Sequence, residues 1–396
     1  MTAPPTPVAA LAAALLGPSA LVGAYRLTLL AAAAAPARPP QLAGAPHTRF
    51  VVVVPAHDEE AGLAPTVAAV LGQEYPGQLR RVVVVADNCT DGTAAVARAA
   101  GAEVLERTDP ERRGKGHALA WALPQVLPGA DAVVLLDADC LPAADLLARF
   151  DARLRSGARI VQADYRVANP AASQQAALRY AGFALENTVR SAGRSRLGAS
   201  SGLLGTGMAF ARDVLERHPW DAFSFAEDRE YHLRLVAAGE RVAFAGETHV
   251  RSDMPVTAAA AHSQEQRWES GRASQLRDST PALLRAAVRR RDPAALDAAM
   301  EPLLPPQALW AAMNAAALVA AAATGRRDAV ALAMAGLAAQ GVFIAGGLAA
   351  AGAPPAVWRA LATGGPSFVA RRVRRIAAQA TGHGPTTWVR TDRDAA

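Results

Sequence analysis

The sequence predicts an α/β fold, a parallel sheet with helices on both faces, carrying apolar helices at both ends of the chain. Three observations predict it. From residue 50 onward, β-branched runs of strand length alternate with helix-length segments. The central run, 132–136, ends on two carboxylates, Asp137 and Asp139, at the edge where an open α/β sheet binds its ligand. The apolar excess is concentrated in residues 8–35 and 302–352.

In chain order, residues 8–35 are almost wholly apolar, broken by Arg26, and 8–25 alone are long enough to cross most of a bilayer. A signal peptide is the competing reading. The segment before Val8 has no basic residue and the apolar stretch resumes after Arg26, so residues 1–35 are read as a retained membrane helix. A Pro-rich linker, 36–47, follows. Residues 50–54 and 82–86 read as strands, 59–71 and 93–100 as the helices between strands, and 132–136 and 158–163 as further strands. Such βαβ order places helices on both faces of a parallel sheet, and the sheet domain is assigned to residues 48–275. Residues 276–301 are rich in Arg and Ala and predict helices in the membrane interface. Residues 302–324 and 329–352 are each long enough to span, with Arg326, Arg327 and Asp328 as the hairpin between them. The tail, 353–396, is basic, and its arginine run at 371–375 places it on the cytoplasmic side with the sheet domain. Arg326 and Arg327 then fall outside, against that rule.

Hydrophobic residues make up 52% of the 396-residue chain and charged residues 19%, with a formal charge of +6. The basic runs at 285–291 and 371–375 flank apolar segments and lack interleaved aromatics, which favours anionic lipid over nucleic acid as their partner. Two cysteines, Cys89 and Cys140, are too few for a disulfide scaffold, and Cys140 has no His or Cys partner at metal-ligand spacing.

Several strings carry chemistry, each with a plainer structural reading. Asp137 and Asp139 suit a hard divalent cation and, through it, a diphosphate; a strand-end turn is the plain alternative. Glu59 and Glu60 follow the first strand, where acidic residues also favour a helix's first turn. Asp87 ends the second strand, while Asp91, Gly92 and Thr93 read as a turn and cap. Lys115 stands between Gly114 and Gly116 in a basic loop, 112–117, suited to phosphate or simply flexible. Residues 205–210 read as a loop and strand. Glu227 and Asp228 open a helix, as caps or as acid–base residues. Gln264, Arg267 and Trp268 combine a phosphate-binding guanidinium with a flat ring that could also anchor at a membrane surface. His57, His117, His249 and His262 lack metal-cluster spacing.

Residues 55–60, 87–93, 137–139, 227–228 and 264–268, in this order, resemble the membrane-bound branch of the family 2 glycosyltransferases over about residues 48–275. That branch contains cellulose, chitin, hyaluronan and poly-N-acetylglucosamine synthases and ceramide glucosyltransferase. The resemblance implies a GT-A (Rossmann-like, nucleotide-diphospho-sugar transferase) fold, a nucleotide-sugar donor expected to be a UDP-sugar, Mg2+ or Mn2+, and inversion at the anomeric carbon. It implies that Glu59 contacts the base or ribose, Asp87 accepts from the uracil imide, and Lys115, Gln264 and Arg267 hold the diphosphate. Asp139 would bind the metal, Asp137 the ribose or the metal. Asp228 would be the general base, with Glu227 and Trp268 at the acceptor. The expected partners are a lipid or glycan acceptor and the cell (inner) membrane, crossed several times with the catalytic domain cytoplasmic. An accessory membrane subunit or homo-oligomer remains open, because three spans are few for a polymer channel. A processive polysaccharide synthase is the alternative within the family. A nucleotidyltransferase predicts neither the Glu–Asp pair nor the Gln-x-x-Arg-Trp string, and a non-catalytic assembly subunit predicts decayed acidic positions.

Overall fold

The computed structural model describes residues 7–41, 44–255, 277 and 279–380. Eight strands form one sheet: β1 Phe50–Ala56, β2 Arg80–Asp87, β3 Glu103–Arg107, β4 Ala132–Leu135, β5 Leu141–Pro142, β6 Ile160–Val167, β7 Met208–Ala211 and β8 Val242–Ser252. Their order is β3-β2-β1-β4-β7-β6-β8-β5. The expected parallel sheet holds from β3 to β4. Beyond β4 the expectation is corrected, because β7 inserts antiparallel between β4 and β6. A helical excursion after β6 brings the chain back in at the same edge of the sheet, a reversal that no local pattern at 208–211 reports. β8 is again parallel to β6.

The two faces follow from the pleat. Phe50, Val52 and Val54 pack with Leu63 and Val67 of α2 (Leu63–Leu71) and Phe150 of α5 (Leu146–Arg155). Val51 and Val53 point the other way, to Leu119 and Leu123 of α4 (Lys115–Val126) and Tyr231 of α9 (Glu227–Ala238). All four valines are at most 1% exposed, and full burial stabilises each by about 1.5–3 kcal/mol. Pro55 sits in central β1 beyond the last pairing with β4, at Val53–Leu135, so its missing N–H leaves that ladder intact. Helix α2 begins at Leu63, later than expected. Asp58 takes a left-handed φ of 53°, and the backbone N–H groups of Glu59 and Glu60 are taken by Thr93 Oγ1 and Asp91 Oδ2.

The remaining helices form a second body. α6 (Gln174–Phe183) continues through a π-helical turn, Ala184–Arg190, into α7 (Ser191–Arg196). α10 (Thr280–Arg290) and α11 (Pro293–Met300) pack Leu283, Ala295 and Ala298 on Leu233 and Val236 of α9. Val288 and Leu284 of α10 remain exposed beside the arginines of 285–291. α1 (Pro7–Ala34), α12 (Gln307–Ala323), α13 (Arg327–Ala350) and α14 (Pro355–Ala380) complete the chain.

Among the described residues two helices, α1 and α13, are long and apolar enough to cross a membrane, or three spans if the bent pair Pro293–Leu303 and Gln307–Ala323 counts as one. In the region of the expected span 302–324 lies the 17-residue helix of that pair, bent by 71° from the preceding Pro293–Leu303 segment. Polar side chains join α1, α12 and α13. Trp310 Nε1 donates to Ser19 Oγ at 3.0 Å, Ser19 Oγ bonds Asn314, and Asn314 Nδ2 donates to Gln340 Oε1 at 2.8 Å.

An ion-pair network then joins the helices of this body, and it meets the sheet domain through Arg229 of α9, 3.7 Å from Glu301. Arg26 of α1 meets Glu186 at 3.1 Å, and Glu186 meets Arg190 at 3.3 Å. Arg190 and Arg194 both hold Glu301, at 3.1 and 2.8 Å, and Arg194 also holds Asp297.

Candidate active site

The crevice opens at the C-terminal ends of β1, β2 and β4, where the residues singled out in the sequence converge. Asp87 ends β2 and is buried; Arg107 at the end of β3 donates to its Oδ1 at 2.5 Å. Arg107 also bonds Asp109, so it fixes both carboxylates. His57 donates its Nδ1–H to the Asp87 carbonyl at 2.7 Å. Glu60 is drawn aside, accepting from the Gly92 N–H at 2.7 Å, whereas Glu59 lines the crevice. Asp91 closes the turn before α3 (Thr93–Ala99), accepting from the Thr93 N–H at 2.9 Å, while Gly92 is the N-cap.

Asp137 and Asp139 follow β4, the first with its N–H on Thr206 Oγ1 at 3.0 Å. Oxygen atoms of both lie within 4.8 Å of each other and of the Cys140 sulfur. Burial, aided by the two carboxylates, pushes the Cys140 thiol well up, so it stays protonated. The donors that remain are hard oxygens, which fit Mg2+ or Mn2+ better than a thiophilic ion.

Lys115 gathers the acidic groups. It is the first residue of α4, after Gly114 at φ 106°. Its Nζ donates to Asp137 Oδ1 at 2.5 Å and to the Gly205 carbonyl at 2.6 Å, and lies 3.8 Å from Glu227 Oε1. Although burial opposes its charge, Asp137 and Glu227 raise its pKa. Gly116 lets the next segment close in, since a Cβ there would lie 2.2 Å from the Ala222 carbonyl oxygen. His117 stacks on Phe223, ring centroids 4.4 Å apart. Both contacts hold residues 222–226 against α4 and so aim the start of α9 at Lys115.

Ala226, not an acidic residue, is the N-cap of α9, and it makes no side-chain cap bond. Glu227 and Asp228 instead face the crevice. Burial pushes the Glu227 carboxyl up to about 7, with Lys115 opposing and Asp228 adding. Burial likewise raises Asp228, opposed by Arg229 and Lys115. A buried carboxylate raised in this way is suited to taking a proton near neutral pH. Gln264, Arg267 and Trp268 lie outside the described residues.

Arg107 escaped the sequence reading, although it is a basic residue closing a strand beside one that closes on Asp87. Residues 205–210 were read as a loop and strand, but not the bonds that Thr206 Oγ1 and the Gly205 carbonyl make to Asp137 and Lys115. The crevice is one end of a cavity of about 960 Å3 that reaches Phe343 of α13 and Phe368 of α14.

Comparisons with known proteins agree with this geometry. A sequence model described as "Glycosyltransferase like family 2" matches residues 46–271. A probable glycosyltransferase, YdaM, of Bacillus subtilis (strain 168) is 25% identical over 231 residues, 56% of this chain and 54% of that protein. The beta-monoglucosyldiacylglycerol synthase of Synechocystis sp. is 29% identical over 249 residues, 59% of this chain and 50% of that protein. The chain thus spans about half the length of these curated relatives. Among solved structures, mannosyltransferase PcManGT from Pyrobaculum calidifontis, in complex with GDP-Man and Mn2+, superposes with a TM-score of 0.59 at 25% identity. That match covers 86% of this chain and 97% of the other. With a GT-A sheet, carboxylates at its C-terminal edge and a family match over more than half its length, the chain belongs to the family 2 glycosyltransferases.

Proposed function

We propose that the protein moves one sugar from a nucleotide-sugar, with a UDP-sugar as first candidate, to a hydroxyl of a lipid or glycan, with inversion and at a membrane. The observation that carries this reading is the half-buried cluster of Lys115, Asp137, Glu227 and Asp228 facing Asp139 across one crevice. Asp228 takes the proton of the attacking hydroxyl, and its raised carboxyl matches that task. The acceptor oxygen bonds to the anomeric carbon as the bond from that carbon to the diphosphate breaks. Lys115 places a point charge beside the leaving diphosphate. Asp87, oriented by Arg107, and Glu59 hold the nucleoside. Asp137 and Asp139 would hold Mg2+ or Mn2+, which supplies charge neutralisation on the departing nucleoside diphosphate. Glu227 stands at the acceptor. From the sequence motif alone, Gln264 and Arg267 are assigned to the diphosphate and Trp268 to the acceptor.

Anchoring through α1 and α13 is supported by their length and composition. Arg371, Arg372 and Arg374 of α14 favour a cytoplasmic catalytic face. The proposed units are a membrane helix over 1–35, a linker over 36–47, a transferase domain over 48–275, interfacial helices over 276–301, membrane helices within 302–352 and a basic tail over 353–396. The test feeds UDP- and GDP-sugars with Mn2+ to membranes containing the protein and reads lipid and glycan products by mass spectrometry. A lipid or glycan gaining one sugar supports the reading, and a long homopolymer would instead mark a processive synthase. Pyrophosphate release from a nucleoside triphosphate and a sugar phosphate would mark a nucleotidyltransferase.

A further inference from the structure

The cavity does not end at the catalytic carboxylates. Tyr165 of β6 lines it together with Asp139, and Phe183 of α6 packs edge-on against the Tyr165 ring, centroids 5.1 Å apart. From there it runs past the π-helical turn and between α12, α13 and α14, where Leu304, Phe343, Ile344, Leu361 and Phe368 form its wall. Such a wall suits a hydrocarbon chain and offers a glycan few polar partners. α13, which supplies Phe343 and Ile344, is long and apolar enough to cross a membrane. A chain lying here is therefore within reach of the bilayer.

The charged side chains at this end are already partnered. Arg26 is paired with Glu186 and Arg190 with Glu301, each at 3.1 Å. Arg179 and Arg372, which line the same cavity, have partners as well. A charged head placed against such a wall would lose its water and gain no counter-charge. Toward the sheet, Lys115 is engaged by Asp137 and Glu227, and the carboxylate of Asp228 would repel an anion. A hydroxyl needs no counter-charge and can still give up its proton.

Two glycines leave room for a chain. Gly182 of α6 and Gly365 of α14 line the cavity, and a Cβ at either would meet nothing within 4 Å. A larger side chain at these positions would narrow the cavity without a backbone clash.

We propose that the helix-lined end takes the hydrocarbon chain of a membrane lipid with an uncharged, hydroxyl-bearing head, and that this lipid is the sugar acceptor. This rests on the transferase reading above and names the acceptor class for the same site. The hydroxyl oxygen of the head bonds to the anomeric carbon as the bond from that carbon to the diphosphate breaks. Its proton passes to Asp228 and the nucleoside diphosphate leaves.

Binding is tested first, on the full-length protein in phosphatidylcholine nanodiscs, with a 1-hexadecylglycerol that carries a diazirine in its chain. Crosslinks should fall on the cavity wall at Phe183, Phe343 or Phe368. Unlabelled 1-hexadecylglycerol should compete about tenfold or more better than hexadecyl phosphate. In the double variant Gly182→Leu/Gly365→Leu these crosslinks should fall about tenfold, while melting temperature and UDP or GDP affinity with Mn2+ report an intact fold and donor site. Equal competition by hexadecyl phosphate, crosslinks confined to the outer faces of the helices, or crosslinks unchanged in the variant would each overturn the proposal. Transfer is tested next on the parent protein, so the outcome does not depend on how the variant folds. Phosphatidylcholine vesicles doped with either diacylglycerol or phosphatidylglycerol are offered beside a soluble oligosaccharide, with UDP- or GDP-sugar and Mn2+. Glycosylated diacylglycerol is expected, formed about tenfold or more faster than glycosylated phosphatidylglycerol. Transfer to phosphatidylglycerol or to the oligosaccharide at an equal or higher rate, or nucleotide released with no lipid product, would sink the acceptor class and leave the transferase reading standing. Absence of any nucleotide binding would count against the transferase reading itself.

Discussion

The sheet end and the helix end of the cavity handle charge in opposite ways. At the sheet end, acidic groups from four separate segments converge and Lys115 is the cation that bonds to them, so the place of a further cation is prepared. At the helix end, positive and negative groups alternate in space and satisfy one another, from Arg26 through Glu186, Arg190, Glu301 and Arg194 to Asp297. A surplus of one sign marks where a ligand of the other sign can act, while balanced charge fixes how the helices are joined. Changes at the first end should alter chemistry with little effect on stability, and changes at the second should do the reverse.

The largest effect is expected from Asp139→Asn or from chelation of divalent ions. Each removes several kcal/mol of transition-state stabilisation, about 10³-fold or more in rate. The melting temperature of the variant should stay near that of the parent. Full turnover after chelation would break the comparison at its first limb.

Glu301→Gln comes next. Glu301 is 5% exposed and held by both Arg190 and Arg194. Breaking such a pair leaves buried charge uncompensated and costs about 3–5 kcal/mol. Thermal unfolding in detergent should show the loss, and an unchanged melting temperature would mean the network does not fasten the helices.

Lys115→Met should lower turnover by about 10²-fold and change its pH dependence. Lys115 opposes the upward shift of both Glu227 and Asp228, so without it their carboxyls rise further. A base titrating higher loses its active form sooner as pH falls, so the acidic limb of the rate profile should move to higher pH. A limb that stays in place or moves down would dissociate Lys115 from these carboxylates.

The smallest effect concerns His232, buried on α9 with Nε2 2.8 Å from Ser200 Oγ. Burial pushes its imidazole down to about 3. For a cation whose folded pKa is depressed, the unfolded chain binds more protons below its own pKa of about 6.5, so stability falls as pH falls. From pH 6.5 to 5 the loss is about 2 kcal/mol, since a tenfold difference in proton affinity is worth about 1.4 kcal/mol. His232→Gln should flatten melting temperature against pH across that window, and an unchanged slope would mean the proton goes elsewhere.

The two ends also differ in how far the sequence discloses them. Asp87, Lys115, Asp137, Asp139, Glu227 and Asp228 were legible because each sits in a short string at a strand or helix end, where backbone geometry alone turns it toward the crevice. The helix end was opaque because its pairs are remote in sequence. Arg26 and Glu186 are 160 residues apart, and Arg190 and Glu301 are 111 apart. Arg26 therefore registered only as a break in an apolar run. β7 was missed as an antiparallel strand for a related reason, because its direction depends on the path of the whole excursion after β6. The 71° bend before α12 was not legible in the run 302–324, because hydropathy reports composition while the bend is set by packing. Gly116 looked like a flexible loop residue, and its role came from the Ala222 carbonyl that no Cβ could approach.

Asp228→Asn tests the central claim most directly, with donor affinity and turnover measured on one preparation. The substitution keeps the shape of a buried side chain and removes its capacity to take a proton. The account predicts nucleotide-sugar affinity within about threefold of the parent and turnover lower by about 10²-fold or more. Equal losses in affinity and turnover, or turnover unchanged, would contradict it and remove Asp228 from the role of base.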